Sequence, residues 1–237
     1  MLSQISKKGA LVKYRDFIPN LYPVRIRDQI IIMNITDDKV YILSHHESMN
    51  LLECYTGENN VTFKGGNILA STYNSYDKYS LFEVTDTMGV SVNFWSLRNI
   101  DISFDNLIHV MQLIKSLHVS HRLIKKGLPY TIDYINGLCV GAKKKELNIP
   151  LVIKYLNAAT QLYPFKTKCL EWSFALFYHI IQYGYQPVLK IGVQNRPFYS
   201  HAWIELDGKI TGDINDLSER MVVIYQINLD VTKQCSR

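Results

Sequence analysis

From Leu170 to Ile181 the chain reads LEWSFALFYHII and is apolar on nearly every side of a helix, through Trp172, Phe174, Ala175, Leu176, Phe177, Ile180 and Ile181. A helix without a polar face has to be wrapped by other elements, so this one is expected at the centre of the protein, holding whatever stands at its tip rigidly. The segments after it are β-rich and short: PVLKIGV, then FYSHAWIEL, an Asp207-Gly208 turn, and Asp213. A central helix against later strands, with other helices before it, reads as an α+β fold.

Cys169 stands at the head of that helix. Pro164 ends the preceding helix and Thr167 is placed to cap the next, which puts Cys169 in a first turn. There the unpaired N–H groups and the positive end of the helix dipole favour thiolate over thiol. A thiol at a helix start, a histidine on a strand (His201) and a carboxylate beyond it (Asp213) are the parts of a cysteine nucleophile with its base and orienter. Singly, each has a blander reading: a small buried hydrophobe, a strand histidine packed on Trp203, a turn residue after Gly212. The ordered set of three carries the catalytic reading.

The Cys169-to-His201 spacing of 32, the His201-to-Asp213 spacing of 12 and the run IGVQNRPFYSHAWIELDGKITGD resemble the leader peptidases (B proteins) of lasso-peptide biosynthesis, of the microcin J type. The resemblance is strongest from Thr167 to Ile227. It implies a transglutaminase-like, papain-related cysteine protease core with Cys169 as nucleophile, His201 as base and acid, and Asp213 as orienter. It implies a cysteine endopeptidase that cuts a ribosomally made precursor at its leader–core junction, without cofactor or metal. The implied partners are the leader segment of that precursor and a separate ATP-using, asparagine-synthetase-like lasso cyclase. Papain relatives also use a glutamine upstream of the cysteine; Gln161, eight residues away on another helix, is a poor match, so the Cys169 backbone N–H is expected to carry more of the oxyanion's stabilisation. Two other readings stay open: acyl transfer to an amine through the same thioester, as in transglutaminases, and a non-catalytic scaffold that delivers the leader.

The N-terminal part has a different character. Gln29 to Ile35 and Val40 to Leu43 are β-rich runs separated by Thr36–Lys39, with a shorter strand near Val24 to Arg27 before them. Ser44-His45-His46-Glu47 is a capping-box pattern opening a helix to Tyr55, with Met49, Leu52 and Leu51 as the residues turned to the hairpin. Strands followed by a helix are similar to the small winged-helix-like element that binds leader peptides in peptide-maturation enzymes. The resemblance implies that the leader is added as a strand beside Val40, Tyr41, Ile42 and Leu43; without a ligand, the same pattern is a plain α+β subdomain. Residues 60–100 are weakly patterned, with Tyr76 to Val84 read as a helix. A clear helix runs from Phe104 to Lys125-Lys126-Gly127, with Pro129 as its stop, and Pro150 suits the first turn of a helix from Leu151 to Leu162. The domains are therefore expected at 1–97, the recognition element, and 98–237, the peptidase.

Composition excludes other classes. With 237 residues, 47% hydrophobic and 20% charged, the chain can bury one ordinary core and a small second one. No apolar run reaches membrane-helix length, and MLSQISKKGA lacks a signal-peptide core, so a cytoplasmic protein without membrane contact is expected. Cys54, Cys139, Cys169 and Cys235 are spaced for neither a disulfide framework nor a metal site. The net charge of +5 comes from residues 101–237, with 16 basic against 11 acidic side chains, while residues 1–100 balance at 10 each. Lys143–Lys145 form the only basic run, and without a groove-reading motif beside it no nucleic-acid partner is expected.

Hairpin register adds one expectation. If His201 is to face Asp213, the β-turn needs a three-residue loop of Leu206, Asp207 and Gly208 with Glu205 opposite Lys209, since a two-residue loop reverses the face. In that register Trp203 shares the face of His201 and shields it.

Overall fold

The computed structural model describes residues 20–54, 61–63, 66–68, 88–90, 107–138 and 144–229. The chain divides into two compact units, residues 1–88 with 194–198, and residues 89–193 with 199–237. The fold is α+β, as expected.

In the first unit β1 (Leu21–Ile26), β2 (Gln29–Asn34) and β3 (Lys39–Ile42) form an antiparallel meander in that order. Its middle strand reads QIIIMN, and Ile30, Ile31 and Ile32 are each fully buried, so the strand is covered on both faces. Helix α1 (His45–Cys54) starts where the capping box places it: the Glu47 N–H donates to Ser44 Oγ at 3.2 Å, and the Ser44 N–H donates to Glu47 Oε2 at 2.8 Å. Its inward face differs from the expected one. Ser48 and Leu51, three residues apart, are buried, and Ser48 Oγ accepts the Ile30 N–H at 3.0 Å. Met49 is rotated off that face and exposed, because a residue next to an inward one cannot share its side of a helix. Strands β4 (Val61–Phe63) and β5 (Gly66–Ile68) pair as a separate ribbon. The helix expected at Tyr76–Val84 lies outside the described residues.

The second unit opens with α2 (Leu107–Lys125), whose C-terminal Gly127 has φ 99. That helix stops at Lys125, ahead of Gly127; Pro129, expected as its stop, instead lies in the first turn of another helix, where proline's fixed φ and missing N–H are suited: α3 (Leu128–Asn136) comes directly after. The Asn148 side chain caps α4 (Ile149–Leu162) by accepting the Leu151 N–H at 3.1 Å, with Pro150 in the first turn. Then comes α5 (Cys169–Ile181), the apolar helix. Phe174, Ala175, Leu176, Phe177 and Ile180 have no exposed surface, with α2 and α4 packed alongside. The remaining elements are β6 (Val188–Asn195), β7 (Phe198–Leu206), β8 (Lys209–Thr211), the short α6 (Leu217–Arg220) and β9 (Val222–Ile227), with a four-stranded sheet in the order β8-β7-β6-β9. Gly192 of β6 lets the Trp203 ring lie against bare backbone, since a Cβ there would stand 2.6 Å from it.

The β7–β8 register corrects the sequence expectation. Leu206 pairs with Lys209, Glu205 with Ile210 and Ile204 with Thr211, so the loop has two residues, not three. Asp207 (φ 52) and Gly208 (φ 77) both take left-handed backbone, the type I′ arrangement whose twist matches the strands it joins. Local turn chemistry set this register.

Candidate active site

Cys169 is the first residue of α5. The expected cap, Thr167, is not the one used: Lys168 is the N-cap, its N–H donating to Glu171 Oε2 at 3.1 Å, while Thr167 Oγ1 is buried without a hydrogen bond. Glu171 near the helix start also suits the dipole. One turn beyond the cysteine, Ser173 Oγ donates to the Ala202 carbonyl at 2.8 Å, and Ala202 is the neighbour of His201. That buried bond ties α5 to β7 where the thiol and imidazole must meet. A second tie, Ser120 Oγ to the Glu171 carbonyl at 2.7 Å, fixes the start of α5 to α2.

His201 and Asp213 are in contact, with Nε2 to Oδ2 at 2.7 Å and almost no exposed side-chain surface on either. A carboxylate accepts only, so Nε2 carries the hydrogen and donates it, which leaves Nδ1 for Cys169. The other carboxylate oxygen, Oδ1, accepts the Ile214 N–H at 2.8 Å, so the carboxylate is itself held.

This contact exists despite the two-residue turn. Continued pairing in that register would put Asp213 on the wrong face of the sheet. Strand β8, however, ends at Thr211, and Gly212 then takes φ +81, where a side chain is strained. The turn swings Asp213 back toward His201. Gly212 also lies against α5: a Cβ there would stand 2.6 Å from the Trp172 ring, whose indole N–H is anchored at 2.9 Å on Asn157 Oδ1 of α4. Sequence reasoning names Gly212 only as the residue before Asp213; a glycine directly before a candidate carboxylate is the signal that could have singled it out.

The electrostatics arise from this packing. Burial alone would push the Cys169 thiol up, but the hydrogen bond and charge of His201, with backbone hydrogen bonds from Ala202 and Leu170, hold it below the usual thiol range. Burial would likewise lower His201, yet the hydrogen bonds and charges of Asp213 and Cys169 raise it to about 9. These opposite shifts favour the thiolate–imidazolium form of the pair over the neutral one. A second buried histidine shows what the partners do: His179 of α5, near Ser116 Oγ at 3.5 Å, is pushed down to about 4 by burial and then by the charge of His109.

On the same face of β7, two residues to either side of the imidazole, lie Tyr199 and Trp203. Trp203 is fully buried, while Tyr199 escapes the sequence reading although its place two residues before His201 on a strand puts it there. Two other carboxylates near the site are engaged elsewhere, Glu205 with Lys190 at 2.6 Å and Asp216 with Arg220 at 2.7 Å. Gln161 is exposed in the last turn of α4. Among the described residues, no group of three or more His, Cys, Asp or Glu side chains is placed to hold a metal, and no helix is long and apolar enough to cross a membrane.

Of the expected peptide-binding residues, Val40, Tyr41 and Ile42 lie on β3, which is an outer strand of the meander, and Leu43 comes directly after it. Leu43 is buried, its N–H donating to the Ile30 carbonyl at 3.0 Å, whereas Ile42 is 42% exposed. The antiparallel pattern alternates, so with Leu43 bonded to β2, Tyr41 is bonded too, and the N–H and C=O groups of Val40 and Ile42 point outward.

Residues 138–226 match the model of the transglutaminase-like superfamily, a span that takes in Cys169, His201 and Asp213. The chain is 33% identical over 116 residues to the microcin J25-processing protein McjB of Escherichia coli, a match covering 48% of this chain and 56% of that protein. No solved structure matches the chain. From α5 to β9, then, the helix tip, the hairpin and the carboxylate beyond it lie in a segment similar to the transglutaminase-like superfamily, within a chain similar over about half its length to a microcin-processing protein.

Proposed function

We propose that the chain is a cysteine endopeptidase of lasso-peptide biosynthesis that removes the leader from a ribosomally made precursor. The observation that supports this reading above all is the buried contact of His201 with Asp213 beside a thiol held below its usual range. Similarity to a microcin-processing protein supports the substrate class. The Cys169 thiolate attacks the scissile carbonyl, forming a C–S bond, and helix-start N–H groups hold the oxyanion. The tetrahedral intermediate collapses, the C–N bond breaks, and the His201 imidazolium gives its proton to the departing amine of the core. Neutral His201 then takes a proton from water, whose oxygen attacks the thioester; the leader leaves as a carboxylic acid and the thiol is restored. Asp213 orients the ring throughout and compensates its charge.

In this reading residues 1–97 are the recognition element and 98–237 the peptidase domain. The leader pairs as a strand with the outward groups of Val40 and Ile42, and the freed core passes to a separate ATP-using lasso cyclase, all in the cytoplasm. The transglutaminase-like match also favours a second reading, acyl transfer to an amine, because the thioester is common to both. Incubating the purified protein with precursors encoded beside its own gene and weighing the products by mass spectrometry tests these readings. Leader acid plus a core with a new amino terminus is expected; an amide in place of the acid would favour acyl transfer. Undiminished maturation with Cys169→Ala would leave only a scaffold.

A further inference from the structure

Positions 199, 201 and 203 of β7 point to one face, and their rings form a ladder. The Tyr199 and His201 centroids are 6.4 Å apart with planes 18° from parallel; those of His201 and Trp203 are 6.3 Å apart at 17°. The imidazole therefore has an aromatic ring on each side. Neither is free to swing: Trp203 is fully buried and forms a cluster with Val90, Leu217 and Met221, and Tyr199 packs against that cluster.

We propose that Tyr199 is a positioning residue for His201: its ring, opposite that of Trp203, restrains the imidazole and stabilises its charged form, and through it the Cys169 thiolate. This goes beyond the proposed reaction and rests on Cys169 working as a thiolate. The face of an aromatic ring attracts a cation out to about 6 Å from its centroid; these rings stand at the edge of that reach, and the attraction grows where water is excluded, as around this buried imidazole. Groups facing His201 from the other elements are Cys169 from α5 and Asp213 from the segment after β8. Glu205, next on this face of β7, is held by Lys190, Ser218 and the Trp203 indole. The phenol stays neutral, since burial and then the charges of Cys169 and Asp213 raise it, so Tyr199 brings a ring and no competing anion.

The test is the rate of Cys169 alkylation by iodoacetamide against pH, mapped by peptide in the full-length protein. The low-pH limb of that profile reports the thiolate. In Tyr199→Leu it should move up by about half a pH unit or more, while Tyr199→Phe keeps the wild-type profile. Pentafluorophenylalanine at position 199 keeps the ring's shape and reverses its charge distribution, so it should move the limb as leucine does and guards against a leucine variant that fails to fold. An unmoved limb with both leucine and the fluorinated ring overturns the proposal, and so does an equal move in Tyr199→Phe, which would assign the effect to the hydroxyl. Precursor cleavage by the wild type, measured separately, decides the peptidase reading independently of this profile.

Discussion

Asp213 Oδ2 stands 2.7 Å from His201 Nε2 although the hairpin that separates them is in the register that should keep them apart. The contact is made outside the ladder, by the chain reversing after Thr211.

Because Asp213 supports the imidazolium, Asp213→Asn should lower the His201 pKa from about 9 and cut precursor cleavage on the order of a hundredfold or more. A histidine raised on folding stabilises the protein fully below its unfolded value near 6.5, and that contribution fades as pH rises through about 9. Wild type and variant should therefore differ most in unfolding temperature near pH 6 and converge above pH 9. A difference that grows with pH would contradict this assignment.

Gly212→Ala should cost about 1–3 kcal/mol from its left-handed backbone, with more from the Trp172 ring in its path, and should slow cleavage by displacing Asp213. Gly208→Ala is the control. Its backbone is also left-handed, but nothing stands within 4 Å of a new Cβ, so only the same strain of about 1–3 kcal/mol is expected and cleavage should persist. Denaturant unfolding with parallel cleavage assays measures both.

Cys169 should be the fastest-labelled of the four thiols near neutral pH, because His201 and two backbone hydrogen bonds hold its pKa below the usual thiol range. Equal labelling of Cys54, Cys139, Cys169 and Cys235 in a peptide map would exclude it as an activated nucleophile.

If the leader pairs with β3, Ile42→Pro should weaken its binding at least tenfold by calorimetry while sparing the fold, since the Ile42 N–H points away from β2. Tyr41→Pro, whose N–H faces β2, should instead destabilise the meander. Unchanged leader affinity in Ile42→Pro would place the leader elsewhere.

Much of this arrangement is local physics and is legible from residue order. The Ser44–Glu47 capping box, the left-handed Gly127, the Pro150 first turn and the helix beginning at Cys169 each depend on residues within about a turn of one another. So does the central place of α5, since a helix apolar all round can be stable only when surrounded. The Asp207-Gly208 turn is equally local, and reasoning backward from the desired chemistry gives the wrong loop length where turn propensity gives the right one. Tertiary structure decided the rest. Where β8 stops, how Gly212 packs against Trp172 and which face of α1 is buried depend on partners distant in sequence. Residue order placed a thiol, an imidazole and a carboxylate in the chain; the contacts of Ser173 with Ala202 and of Gly212 with Trp172 brought them together, because only packing fixes how a helix tip meets a strand from elsewhere in the sequence.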